Sequence, residues 1–343
     1  MTKVENQILK GVSILFMLWL HCFNTGIDIV PDYNDIYILG GGLCDYIARL
    51  TGPVELYILL SGYGLYLTYK KNKIDPIKRV FKLMMLYWIT LIIFVTLGYF
   101  IDPQNYPGST IKIIGNITSW RTSYNATIWF LFPYICTVFN SKLYLAFLDK
   151  RPYASLIIAF LSYILFYGLS WAYSMSYVQI PYLGQIIIEI GKFVFPFVVG
   201  ASLCKYNVVQ KSKLLFANKQ ILLSIITIVL FFFRTLTTFH FCVHLFFSIF
   251  IILMVCSFRR PLWLDKFLVC FGKKSTSIWF IHAYLIWYLF KNYYYSLEHP
   301  ILIYTTLIAT TFIFSIPIDW IYNTTLNLIF RRIIDSNHSA SNK

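Results

Sequence analysis

A histidine stands in an apolar stretch, LKGVSILFMLWLHCFN at residues 9–24, and it is the only basic or acidic side chain there after Lys10. Lys10 and His21 lie eleven residues apart. On a helix, eleven residues are about three turns, so both side chains share a face, roughly 16 Å apart along the axis. A cation at one end of that face can hold phosphate groups. An imidazole farther along can act as a base or an acyl acceptor. This spacing suits a rod-shaped donor such as acyl-CoA, with phosphates at one end and a thioester at the other. The competing reading is an interfacial lysine and a hydrogen-bonded core histidine.

Other polar groups interrupt apolar runs. Charged groups inside a membrane span cost about 2.5–3.5 kcal/mol on insertion scales, so each asks for a reason. The set is His21, Glu55, Glu189, Lys192, His244, His282 and Asp319. Glu55, in GPVELYILLSGYGLYL (52–67), is expected at the depth of His21, where it could orient the imidazole; an interfacial carboxylate reaching water is the alternative. Ser61, Gly62 and Gly64 in the same stretch favour close helix packing. The basic run KKNKIDPIKRVFKLMMLYW (70–88) contains Arg79 and Lys82, candidates for the donor phosphates beside a plain topology role. His282 follows Lys273 and Lys274 in FGKKSTSIWFIHAYLIW (271–287). Trp129 is either a belt residue or a sugar platform. Arg121 and Arg234 are read as loop cations, and Asp319 as a mark of the last span's end. His240 and His244 are four apart, but no third ligand or HExxH pattern accompanies them, so no metal site is expected.

The elements that must position these groups follow from composition. Of 343 residues, 58% are hydrophobic, 20% aromatic and only 13% charged, where soluble domains carry about 25% charge. The apolar residues come in blocks of about twenty, the length of a spanning helix. We place ten, near 8–24, 53–69, 81–101, 127–147, 153–173, 183–203, 219–235, 241–257, 275–291 and 301–318. The fold class is therefore all-α, a polytopic bundle spanning residues 1–331 as one domain, with a short polar tail at 332–343. The first block lacks a small-residue cleavage site and reads as a retained helix. The net charge of +15 does not indicate nucleic acid, because the basic residues cluster between the apolar blocks. Alternate loops hold 23 and 5 of the 29 Lys and Arg residues, Lys192 lying inside a helix. That asymmetry puts both termini in the cytoplasm. The seven cysteines are scattered, with no CxxC pair, so neither a metal ribbon nor a disulfide framework is indicated.

Taken in order, these segments resemble the acyltransferase-3 family of integral membrane O-acyltransferases. The first-helix pattern of a cation, ten residues and His is similar to Lys10 and His21, with Lys where the family has Arg. Glu55 through Tyr63, the basic loop ending at Tyr87–Trp88, Trp129 with Leu131, FPFVVGASL at 195–203, and Gly272, Ser277, Trp279 and His282 complete the likeness over about residues 8–290. The resemblance implies transfer of an acyl group, acetyl in the simplest case, from cytoplasmic acyl-CoA to a hydroxyl of an extracytoplasmic polysaccharide or lipid-linked glycan. It implies His21 as the central residue, with acyl-CoA as co-substrate and no permanently bound cofactor. It also implies a bacterial cytoplasmic membrane as the location. Some relatives carry an extra extracytoplasmic domain. None is seen here, so the chain is expected to act directly, as a homo-oligomer or with a separate partner. The alternative class is a glycan or lipid transporter, which predicts Gly/Pro-broken helices in matching halves; no such symmetry is found. The topology predicts that a membrane-impermeant maleimide labels Asp32→Cys from outside the cell and Lys213→Cys only after permeabilisation; the reverse pattern overturns it.

Overall fold

The structure is a computed structural model that describes residues 1–24, 30–38, 40–50, 52–236 and 243–341, with side chains in the last helix described to residue 329. It is all-α, 81% helical. The helices are α1 (Lys3–Phe23), α2 (Leu43–Arg49), α3 (Pro53–Lys70), α4 (Pro76–Ile101), α5 (Thr110–Ile117), α6 (Leu131–Phe139), α7 (Ser141–Lys150), α8 (Pro152–Ser174), α9 (Tyr182–Lys205), α10 (Val208–Phe216), α11 (Gln220–Leu236), α12 (Val243–Ser257), α13 (Leu262–Ala283), α14 (Lys291–Tyr295) and α15 (Pro300–Ser341). A 3₁₀ segment, Ala126–Phe130, leads into α6, and a wide π turn, Tyr284–Leu289, follows α13. One two-residue hairpin pairs Tyr37 with Gly42 and Ile38 with Gly41.

Local chemistry sets the starts. Thr2 and Glu5 form a reciprocal cap on α1, each side chain accepting the other's backbone N–H. Asp75 accepts from the Lys78 N–H at the head of α4, with Pro76 in its first turn. The ten predicted spans all fall on helical segments. By length and apolarity, however, five helices among the described residues suffice to cross a bilayer: α1, α4, α8, α9 and residues 300–329 of α15. Two bent pairs raise the number to seven: Ala126–Phe139 with α7, at 53°, and α10 with α11, at 116°. The other three predicted spans meet α3, α12 and α13. Helix α12 has 15 residues, about 22 Å, short of a hydrocarbon core of about 30 Å. Helix α13 begins at Leu262, well before the predicted 275, so Asp265, Lys266, Lys273 and Lys274 lie on the helix rather than in a loop. The last helix runs through Pro317 and past the predicted end at 318.

Two helix crossings organise the interior, and both are built on glycine. In α1 and α13, a Cβ on Gly11 would sit 2.1 Å from the Leu268 carbonyl oxygen, and one on Gly272 would sit 1.9 Å from that of Gln7. Helices α3 and α9 repeat the device: a Cβ on Gly62 would sit 2.0 Å from the Phe197 carbonyl oxygen, and one on Gly200 2.1 Å from that of Leu59. Without side chains between them the backbones touch, and dispersion and Cα–H···O contacts replace a hydrophobic force that lipid does not supply. Any side chain at these positions must part the helices. Gly272→Val should therefore lower catalytic turnover about tenfold or more, at a cost in stability of about 1–3 kcal/mol; turnover and thermal unfolding of the purified variant test this, and wild-type values for both refute it.

Candidate active site

His21 lies in the last turn of α1, where four backbone carbonyls lack helical partners. All four are satisfied. Leu20 O accepts from the Asn24 N–H (3.0 Å), His21 O from Trp287 Nε1 (3.0 Å), Cys22 O from the Tyr295 hydroxyl (2.9 Å) and Phe23 O from the Tyr33 hydroxyl (3.2 Å). The π turn after α13 carries Trp287, whose ring also meets the His21 ring edge-on, centroids 4.8 Å apart. Such turns are rare and cluster at functional sites.

The His21 side chain meets His282, which is fully buried. His21 Nδ1 and His282 Nε2 are 2.7 Å apart, with the ring centroids at 4.8 Å and the planes 15° apart. This is an edge-to-edge hydrogen bond. His282 Nδ1 is in turn 2.7 Å from the Trp279 carbonyl oxygen. A carbonyl only accepts, so His282 Nδ1 carries the hydrogen, and in the neutral ring Nε2 is an acceptor. His21 must then donate from Nδ1, which leaves its Nε2 with a lone pair. His21 lines a cavity of about 710 Å³. His282 is outside that lining and holds the ring from behind.

The same cavity is walled by Lys10, Ser61, Arg79, Lys82 and Trp129, so it gathers most of the predicted site residues. Lys273 and Lys274 join them because α13 starts early. Arg79 Nη2 donates to the Tyr134 hydroxyl at 2.8 Å, and that hydroxyl lies 3.0 Å from Ser61 Oγ. Lys10 is electrostatically coupled to both Arg79 and Tyr134. Neither Lys10 nor Arg79 has a carboxylate partner among the described residues. Two cations facing one cavity, with no carboxylate counter-ion among the described residues, give its wall a positive charge. Lys274 differs, since it pairs with Asp319 at 2.7 Å, and Asp319 also accepts from Ser277. Asp319 is thus a cavity residue inside α15, not a mark of the helix end.

Two placements differ from the sequence reading. Glu55 does not line the His21 cavity; it lines a neighbouring one with Glu189 and Lys192, and the imidazole's partner is His282. Arg234 is no loop cation: α11 extends past it, it is 3% exposed, and its Nη2 donates to the Arg49 carbonyl (2.8 Å) beside the His244 ring (3.2 Å). His240 lies outside the described residues, and among these no group of three or more His, Cys, Asp or Glu could hold a metal. Tyr134 went unnoticed because one tyrosine among 27 carries no signal of its own.

The acyltransferase domain family matches this chain over residues 7–320. The chain belongs to the acyltransferase 3 family. Membership makes it a multi-pass membrane acyltransferase, and His21, Lys10 and Arg79 line one cavity. No curated protein and no solved structure matches the chain significantly. If the cation cluster holds the donor, Arg79→Gln with Lys82→Gln should raise the KM for acyl-CoA about tenfold or more, the worth of one lost charged hydrogen bond or more. An unchanged KM at normal protein level would return these residues to a topological role.

Proposed function

We propose that this acyltransferase moves an acyl group, acetyl in the simplest case, from cytoplasmic acyl-CoA to a hydroxyl of an extracytoplasmic glycan. The observation that carries the reading is the His21–His282 hydrogen bond at 2.7 Å, at one end of a cavity whose other wall bears Lys10 and Arg79, which have no carboxylate partner among the described residues. The cations bind the CoA phosphates, and the thioester reaches along the face of α1 toward His21. Lys82 and Lys273 widen the positive mouth.

The chemistry follows from the tautomer. His21 Nε2 accepts the proton of the acceptor hydroxyl as its oxygen attacks the thioester carbonyl. The tetrahedral intermediate expels CoA thiolate, which takes that proton back from His21 Nε2. Products are the ester and free CoA, with no net proton change. While His21 is an imidazolium, its Nδ1–H donates to the lone pair of neutral His282. His282 is a positioning residue here, doing for His21 what a carboxylate does in a Ser-His-Asp triad.

His21→Ala should lower turnover on the order of 10²–10⁴-fold, the span of one general base, while the protein still inserts. His21→Gln should be no better, because an amide takes up no proton. Loss beyond that range, with acyl-protein trapped by labelled donor in the absence of acceptor, would make His21 a covalent carrier instead. His282→Leu should cut kcat on the order of 10²-fold and leave the donor KM alone, whereas His282→Gln, which can still accept from His21 and donate to Trp279 O, should retain more. Wild-type turnover in His21→Ala defeats the mechanism.

A further inference from the structure

A second cavity of about 210 Å³ lies beside the first. Drug-sized ligands occupy pockets of roughly 300–1,000 Å³, so this one has room for a single small ring. Its polar wall is Glu55 from α3, Tyr167 from α8, and Glu189 and Lys192 from α9; Trp129 and Phe193 supply aromatic faces. Val54 and Trp129 belong to both cavities. A ring held in the second cavity therefore abuts the first, where His21 stands.

The charges define what fits. Lys192 Nζ is bound to Glu189 at 2.7 Å and to Ser170 Oγ at 2.9 Å. Arg234, within electrostatic reach of Glu55, is outside the lining and engages the Arg49 carbonyl and His244. No cation in the lining is left to neutralise an anionic ligand, whether Glu55 is ionised or protonated. Carboxylates and a phenol accept hydrogen bonds from hydroxyl groups, and the indole offers its flat face to C–H bonds. The side chains of Glu189 and Lys192 are 29% and 13% exposed.

We infer that this second cavity binds the acceptor as one neutral pyranose ring, with Glu55, Glu189 and Tyr167 taking its hydroxyls and Trp129 its face, and that it excludes uronates and phosphorylated sugars. The inference rests on the acyl-transfer reading above. The test uses the full-length purified protein in lipid nanodiscs with labelled acetyl-CoA. Methyl glycosides of glucose, galactose and mannose are offered beside their uronate and 6-phosphate counterparts. Acetylation of at least one neutral glycoside, tenfold or more above its two anionic counterparts, is the expected result. Glu189→Gln should raise the KM for that glycoside about tenfold and the donor KM less than twofold; Trp129→Leu, whose ring borders both cavities, should raise the glycoside KM by about as much. Preference for a uronate or phosphate overturns the inference, as does Glu189→Gln moving both KM values together. So does acetylation of no glycoside while acetyl-CoA is still hydrolysed in a His21-dependent way. Hydrolysis that is absent, or unaffected by His21→Ala, defeats the acyl-transfer reading instead.

Discussion

The contact between α1 and α13 sets the terms for everything at the site. Gly11 and Gly272 are each ten residues before the histidine of their own helix, about 15 Å of rise in both cases. Because the two backbones touch at the glycines and the helices run side by side, the imidazoles arrive at the same height. They come close enough for a 2.7 Å hydrogen bond. A crossing even a few ångströms wider would leave His282 Nε2 buried without a partner, a loss that proteins meet at about 1–3 kcal/mol. It would also free His21 to rotate.

The two ends of the cavity solve opposite electrostatic problems. Near the histidines the partner of His21 is neutral. A carboxylate there would be a charge held deep in an apolar bundle, and it would need a cation beside it. A histidine fixed in one tautomer by the Trp279 carbonyl orients the base without that burden. At the far end Lys10 and Arg79 have no carboxylate partner among the described residues, with Arg79 exposed and hydrogen-bonded to Tyr134 and Ser61. That arrangement stays unfavourable until an anion arrives.

Depth was legible in the sequence, and direction around the helix only in part. The spacing of Lys10 and His21 on one helix read correctly as one face, because both residues share a single periodicity. Glu55 was read from its place near the start of α3, but nothing in one helix says which neighbour a side chain will meet. The α3–α9 glycine contact turns it toward Glu189 and Lys192. Lys273 and Lys274 read as loop residues because charge interrupts hydropathy. In the fold, α13 absorbs them and faces them into a polar cavity rather than lipid. The same confusion bears on why, among the described residues, five to seven of the ten apolar segments are long and apolar enough to cross a membrane.

His21 occupies the last turn of α1, and the Glu5 cap marks the other end of that helix. A helix carries roughly half a positive charge at its N-terminus and half a negative one at its C-terminus. The axis of α1 therefore lays a weak field along the cavity. Its sign favours an anion toward the end where Lys10 lies and a cation where the imidazole stands. Because Trp287, Tyr295 and Tyr33 hold the terminal carbonyls in place, the negative end cannot fray away from the ring. An imidazolium born during transfer would thus gain about 0.3–1 kcal/mol from backbone alone, without any acidic side chain.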